Sequence, residues 1–475
     1  MGVGVSDWRL ARAVSILGQL GVVSGTAIDT LLVRRLQDGD PEGHVRRAMS
    51  AFPDAEVSDA VLRRYFLPDG RRGAAYKLLP MYKQRPSVAR QQVTILAAFV
   101  EVRLAKEGHT GLVGVNLLTK VQLPNLAALY GAMLGGVDVV LMGAGIPREI
   151  PGVLDALARH EPATMRFDLD GAAPGETEWL TFDPRAHVSA HIAALPLRRP
   201  RFLAIVSANS LATTLARKAN GRVDGFVVEA PIAGGHNAPP RGTLQLTASG
   251  EPVYGERDLV NLEKLRELDI PFWLAGGMAS RDSLAHAQAL GAAGIQVGTL
   301  FAFCEESGLE PSLRAGALAE IAEGTARVVT DPRASSTGYP FKRLELARTP
   351  QQDDSRTRNC DLGYLRVAYR RPDGRVGYRC PAEPVEQYVA KGGDIADTVG
   401  RRCLCNGLVA NVGHAQHRQG ESSELPLLTS GQDLDAVRTL LDGRSTYSAA
   451  EAAAFLIGDT AAPDGVLRAE ATSAR

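Results

Sequence analysis

The chain has 475 residues, 45% of them hydrophobic, and its 53 Lys+Arg balance 53 Asp+Glu to a formal net charge of zero. That balance argues against a general electrostatic grip on nucleic acid or on an anionic membrane, so neither is an expected partner. No apolar run is long enough to cross a bilayer and no signal-like core opens the chain, which makes the cytoplasm the expected location.

In chain order, one unit recurs: a short apolar run, then small or polar residues, then an amphipathic helical stretch. Such runs fall at residues 1–5, 20–24, 112–117, 137–142, 202–207, 225–230, 271–275 and 294–298, with helical patterns at 8–17, 123–134, 210–219, 259–268 and 283–290. Short runs buried on both faces suit a parallel sheet, and each crossover needs a helix. The expected fold class is therefore α/β: a (β/α)8 TIM barrel with insertions and a smaller C-terminal mixed or helical lid domain. The first run (MGVGV) has no lead-in, so the expected first strand is either very short or starts upstream of Met1.

The barrel is expected over residues 1–325. Residues 29–108 read as added helices around an Arg- and Pro-rich arm, and residues 161–200 as a peripheral hairpin insertion. A cysteine-bearing lid is expected over 326–434, then a C-terminal helix and tail over 435–475, frayed from Pro463.

Catalytic groups of such a barrel sit at the C-terminal strand ends. The last two runs end in Gly276-Gly277 and in Gln296-Val297-Gly298-Thr299. Two glycine corners in succession let backbone N–H groups approach a phosphate closely. The sixth run leads from Glu229 into Gly234-Gly235-His236. The glycines allow a tight loop, and an imidazole at the mouth can take a proton near neutral pH or hold an anion once protonated. Asn116 closes the third run; its amide can both donate to and accept from a ring edge such as a flavin's pyrimidine. Ser207, at the end of the fifth, could do so more weakly.

The segments SILGQLGVVSG (15–25), GVNLL (114–118), EAPIAGGHNAPPRG (229–242), FWLAGGM (272–278) and GAAGIQVGTLF (291–301) resemble the nitronate monooxygenase family, which also contains flavin enoyl reductases. The resemblance implies FMN, its phosphate held by Gly276, Gly277, Gly298 and Thr299. It places Asn116, Ser207 and Glu229 around the isoalloxazine, with Gly234, Gly235 and Gln296 beside them, and makes His236 the catalytic residue. The chain departs from the family in lacking a Pro-Ile strand before the first glycines, and in carrying Ser207 where a lysine is common. It looks closest to a large subgroup similar to trans-acting enoyl reductases of polyketide and polyunsaturated fatty acid synthases.

Two sets of residues follow the barrel. Ser335 to Lys342 (SSTGYPFK) resembles the loop that covers the flavin in this family, with Tyr339 and Lys342 as its candidate substrate-facing residues. Cys360, Cys380, Cys403 and Cys405 lack paired C-x2-C knuckles, so reduced buried thiols are the expectation and a metal site the alternative. The expected activity is oxidation of nitronates or nitroalkanes by dioxygen to carbonyl compounds and nitrite. The alternatives are an NAD(P)H-dependent enoyl reductase acting on carrier-protein-bound chains and a non-catalytic flavin-binding assembly component; a homodimer is a further expectation.

Overall fold

The computed structural model describes residues 2–194, 196–418 and 423–458. Met1 and the tail expected to fray from Pro463 lie outside the described residues. In chain order the strands are β1 (Gly21–Ser24), β2 (Val113–Leu118), β3 (Val139–Gly143), β4 (Ala163–Phe167), β5 (Glu178–Phe182), β6 (Arg201–Val206), β7 (Gly225–Glu229), β8 (Phe272–Ala275), β9 (Gly294–Gln296), β10 (Arg327–Asp331), β11 (Phe341–Glu345), β12 (Val367–Arg370) and β13 (Val376–Arg379).

Seven of these form one sheet in the order β1-β2-β3-β6-β7-β8-β9, and every neighbouring pair is parallel. Residues at or just beyond the C-terminal ends of β1, β2, β3, β6, β7 and β9 line one common cavity. Its first and last strands therefore face each other, and the sheet is curled into a TIM-type α/β barrel. Val22, Leu141, Leu203, Val227 and Trp273 fill the inner face. The outer face packs against helices, including Val88–Ala105 and Gln122–Leu134. Those two helices cross so closely that a Cβ on Gly131 would stand 2.0 Å from the Ile95 carbonyl oxygen, which only glycine permits.

Seven of the eight expected runs become strands within two residues of their expected bounds; the first does not. Residues 2–5 form a turn, with the Val5 N–H donating to the Gly2 carbonyl at 3.4 Å and Gly4 at φ +64°. A left-handed residue breaks the extended repeat a strand needs. This segment is held instead between the end of β1 and the loop at Gly308. The Ser24 N–H donates to the Ser6 carbonyl at 2.8 Å, and the Gly308 N–H donates to that of Val5 at 2.8 Å.

Residues 29–108 supply the helices His44–Ser50, Ala55–Tyr65 and Val88–Ala105, and complete Ile28–Gln37. β4 and β5 form the expected antiparallel hairpin. Beyond the barrel, the Tyr364 hydroxyl donates to Asp29, which is paired with Arg90 at 2.7 Å and accepts from Thr94 at 2.8 Å. This network is buried and its charges compensate one another, as buried charges must. Helices Leu434–Leu441 and Ala449–Ile457 pack with Pro311–Glu323 in a second core that also holds Val5 and Leu10. Among the described residues, no helix is long and apolar enough to cross a membrane.

Candidate functional site

The cavity at the barrel mouth encloses about 930 Å³ of empty space, part of it open to solvent. Asn116, Glu229, Gly234, Gly235, His236 and Gln296 all line it. Six residues singled out from widely separated strand ends therefore share one wall system, together with apolar Leu117, Ile205 and Phe341.

His236 follows β7 on a loop whose conformation depends on its glycines. Gly235 has φ +80°, a left-handed turn that favours glycine. A Cβ on Gly234 would lie 2.7 Å from the Gly431 nitrogen, so this loop packs backbone to backbone on the segment at 430–431. The β10–β11 hairpin clamps the loop from the other side: the Lys342 N–H donates to the Gly235 carbonyl and the Asn237 N–H to that of Pro340, both at 2.9 Å. The imidazole packs edge-on against Phe341 with ring centroids 4.9 Å apart. Its Nε2 lies 2.7 Å from the Ser335 hydroxyl. Burial lowers its pKa to about 4, so the ring is neutral at pH 7 and available as a proton acceptor.

Ser335 is the residue that the sequence did not single out. It is fully buried and its hydroxyl also meets that of Thr337 at 2.8 Å, while its carbonyl accepts from Arg401. The only sequence signal was its membership of the hydroxyl-rich segment after the barrel, where Tyr339 and Lys342 drew attention instead. Neither of those two lines the cavity. Tyr339 is half-buried in the loop before β11. Lys342 is buried, donates from Nζ to the Thr330 hydroxyl at 2.6 Å, and is pushed down to about 8 by burial. Their placement corrects the expectation of two substrate-facing side chains: alternation along β11 turns Lys342 away from the mouth while Phe341 faces it.

Glu229, at the end of β7, is raised to about 7 by burial, with Lys342 opposing the rise. Ser207 is not on the cavity wall, and its carbonyl accepts from Arg241 at 2.9 Å. Two further wall residues, Ala27 and Ala144, have φ of +57° and +53°. Strained backbone of this kind concentrates at functional sites.

Gly276, Gly277, Gly298 and Thr299 are not on the wall of this cavity; Gly276 packs against Ala230 and Ala233 in the loop that carries His236. Gly276 and Gly277 turn with φ +85° and +70°, and a Cβ on Gly277 would lie 2.5 Å from Ile232 Cδ1 in the His236 loop. Nothing lies within 4 Å of a Cβ position on Gly298, which faces open space. The Thr299 hydroxyl accepts from the Gly431 N–H at 3.1 Å. Among the described residues, none accepts a hydrogen bond from the backbone N–H groups of Gly276, Gly277 or Gly298. Those donors are free to meet an anion, so the corners fit a phosphate.

A parallel barrel with its polar residues gathered around one cavity at the C-terminal strand ends has the site placement of an α/β-barrel enzyme. Residues 190–333 match the family model described as nitronate monooxygenase. The match contains the segments at 229–242, 272–278 and 291–301 and excludes those at 15–25 and 114–118. A nitronate monooxygenase of Pseudomonas aeruginosa is 32% identical over 170 residues, 35% of this chain and 47% of that protein. A probable nitronate monooxygenase of Staphylococcus saprophyticus is 33% identical over 142 residues, 30% of this chain and 37% of that protein. The chain thus aligns with less than half the length of either relative. Among solved structures, nitroalkane oxidase of Streptomyces ansochromogenes gives a TM-score of 0.43 at 16% identity, covering 96% of this chain and 92% of that one. FabK of Thermotoga maritima gives 0.36 at 18% identity, covering 73% and 68%.

Proposed function

We propose that the chain is an FMN-dependent oxidoreductase that oxidises nitronates or nitroalkanes with dioxygen to carbonyl compounds and nitrite. The observation that carries this reading is the neutral His236 imidazole on the cavity wall, carried by a loop packed against the Gly276-Gly277 corner with its free N–H donors. The FMN phosphate would be held by Gly276, Gly277 and Gly298 with Thr299, and Asn116, Glu229 and Gln296 would border the ring. Bound FMN supplies the two-electron chemistry between substrate and dioxygen.

The protein's part is proton handling and orientation. With a neutral nitroalkane, His236 accepts the α-proton, and the electron pair left on carbon delocalises onto the nitro oxygens as a nitronate. A depressed imidazole pKa keeps the ring unprotonated before substrate arrives, the state a general base requires. With Nε2–H donating to the Ser335 hydroxyl, Nδ1 is the unprotonated nitrogen that accepts the α-proton. The Asn116 amide, on the same wall, supplies a donor and an acceptor.

His236→Ala is expected to retain bound FMN while nitrite release from a nitroalkane falls ~10²–10⁴-fold, the usual range for losing a general base. Turnover equal to wild type would refute the role. Anaerobic mixing with NADPH separates the reductase alternative: flavin bleached by NADPH supports enoyl reduction, and flavin bleached only by a nitronate supports the oxidase reading.

A further inference from the structure

Cys360, Cys380, Cys403 and Cys405 lie up to 45 residues apart in sequence, and all four line one small cavity that shares wall residues with the rim pocket. We propose that this cage holds a [4Fe–4S] cluster ligated by the four cysteine thiolates.

The donor set is that of such a cluster: four thiols, all unpaired. A tetrahedral zinc ion is the other ligand of four thiolates, but Zn–S bonds of about 2.3 Å draw the sulfurs tightly around one point. Among the described residues, no three His, Cys, Asp or Glu side chains are placed to hold a single ion. Four thiols facing one cavity without converging on one point suit a guest of several atoms.

The surroundings are equally specific. Sulfur ligands of clusters accept hydrogen bonds, which stabilise thiolate charge. Here Asn406 Nδ2 donates to Cys403 Sγ at 3.5 Å. A [4Fe–4S] core with four thiolates is a net anion, and Arg366 and Arg402 line the cavity. Arg402 Nε is buried with no partner, a cationic donor that an anionic guest would satisfy. The two carboxylates on the wall already have cations: Asp361 is paired with Arg418, and Glu383 with Lys391 at 2.7 Å.

Cys405, Leu365 and Leu404 line both this cavity and the rim pocket. A cluster here would share a wall with the flavin pocket, the position of a single-electron relay. That corollary rests on the flavin reading; the cluster itself does not.

The test is anaerobic purification of the full chain, followed by reconstitution with ferrous iron and sulfide. The expected product carries ~4 iron and ~4 acid-labile sulfide per chain, absorbs broadly near 400 nm, and gives a low-temperature paramagnetic signal after one-electron reduction by dithionite. Cys403→Ser and Cys405→Ser should each lose most of the iron, whereas Cys304→Ser, remote from the cage, should retain it. One zinc per chain without sulfide would overturn the proposal. So would a disulfide among these cysteines, or a reconstituted chain with neither iron nor sulfide. Flavin content measured on the same sample separates the two readings, because a clustered chain without flavin sinks the oxidase proposal alone, and the reverse sinks this one.

Discussion

Glu229 offers the most quantitative test of how the rim pocket treats charge. Burial raises its carboxyl from an ordinary 4.5 to about 7. At about 1.4 kcal/mol per tenfold change in proton affinity, the ionised carboxylate costs about 3 kcal/mol more in the fold than in the open chain. The folded pKa is the higher one. Between pH 4.5 and 7 the unfolded chain therefore holds fewer protons than the fold, and this residue's contribution to stability declines as pH rises. Below pH 4.5 both states are protonated and no penalty exists; above pH 7 it is complete.

Glu229→Gln keeps the shape and removes the ionisation. Its unfolding free energy, measured by urea titration of the flavin-free protein, is expected to gain on wild type across pH 4.5–7. The gain should level off at about 3 kcal/mol by pH 8. Taking the difference between the two proteins cancels His236, whose lowered pKa acts in the opposite sense. Its unfolded form takes up a proton below 6.5 and its folded form only near 4, so it costs stability as pH falls through that window. A difference between variant and wild type that stays flat from pH 4.5 to 8 would show that Glu229 is solvated, and the account of a desolvated mouth would fail.

Two further variants probe the packing that holds His236. Ser335→Ala removes a buried hydroxyl 2.7 Å from Nε2 and leaves the imidazole one partner short. Stability should fall by about 1–2 kcal/mol and nitroalkane turnover by roughly tenfold with KM little changed, while Ser335→Thr rescues part of the rate; wild-type turnover in Ser335→Ala would mean the ring is oriented by other contacts. Gly234→Ala forces a Cβ to within 2.7 Å of the Gly431 nitrogen. Overpacking backbone against backbone should cost about 1–3 kcal/mol and weaken FMN retention, and an unshifted urea midpoint would count against that close approach.

Much of the barrel was legible because parallel strands buried on both faces leave continuous apolar runs, as Val139–Gly143 and Gly225–Glu229 show. Residues 1–5 carry the same composition, yet Gly4 turns left-handed, and nothing in an alternation of glycine and valine distinguishes a strand from a turn. His236 and the glycine corners were legible because each sits at a strand end, where the fold itself assigns position. Ser335 was not, because its partner lies 99 residues away and a serine in a Ser/Thr-rich segment usually serves local turns. The four cysteines were offered by the sequence only as an alternative metal set, for a related reason. The intervals between Cys360, Cys380 and Cys403 match no metal-binding spacing, and only the packing of the post-barrel segment brings them to one cavity.

The pocket groups share one electrostatic tendency, and its cause bears on what the site accepts. His236 is lowered to about 4, Glu229 raised to about 7 and the neighbouring Lys342 lowered to about 8, each with burial as the largest cause. All three move toward their neutral forms, because burial outweighs the opposing attraction between Glu229 and Lys342. On the proposed oxidase reading, a nitro group would meet a wall that can accept a proton at His236 without first releasing one. On that reading the imidazolium would form in a desolvated place and be stabilised by the nitronate beside it. The same desolvation that costs the empty fold stability therefore favours the ion pair that proton abstraction creates.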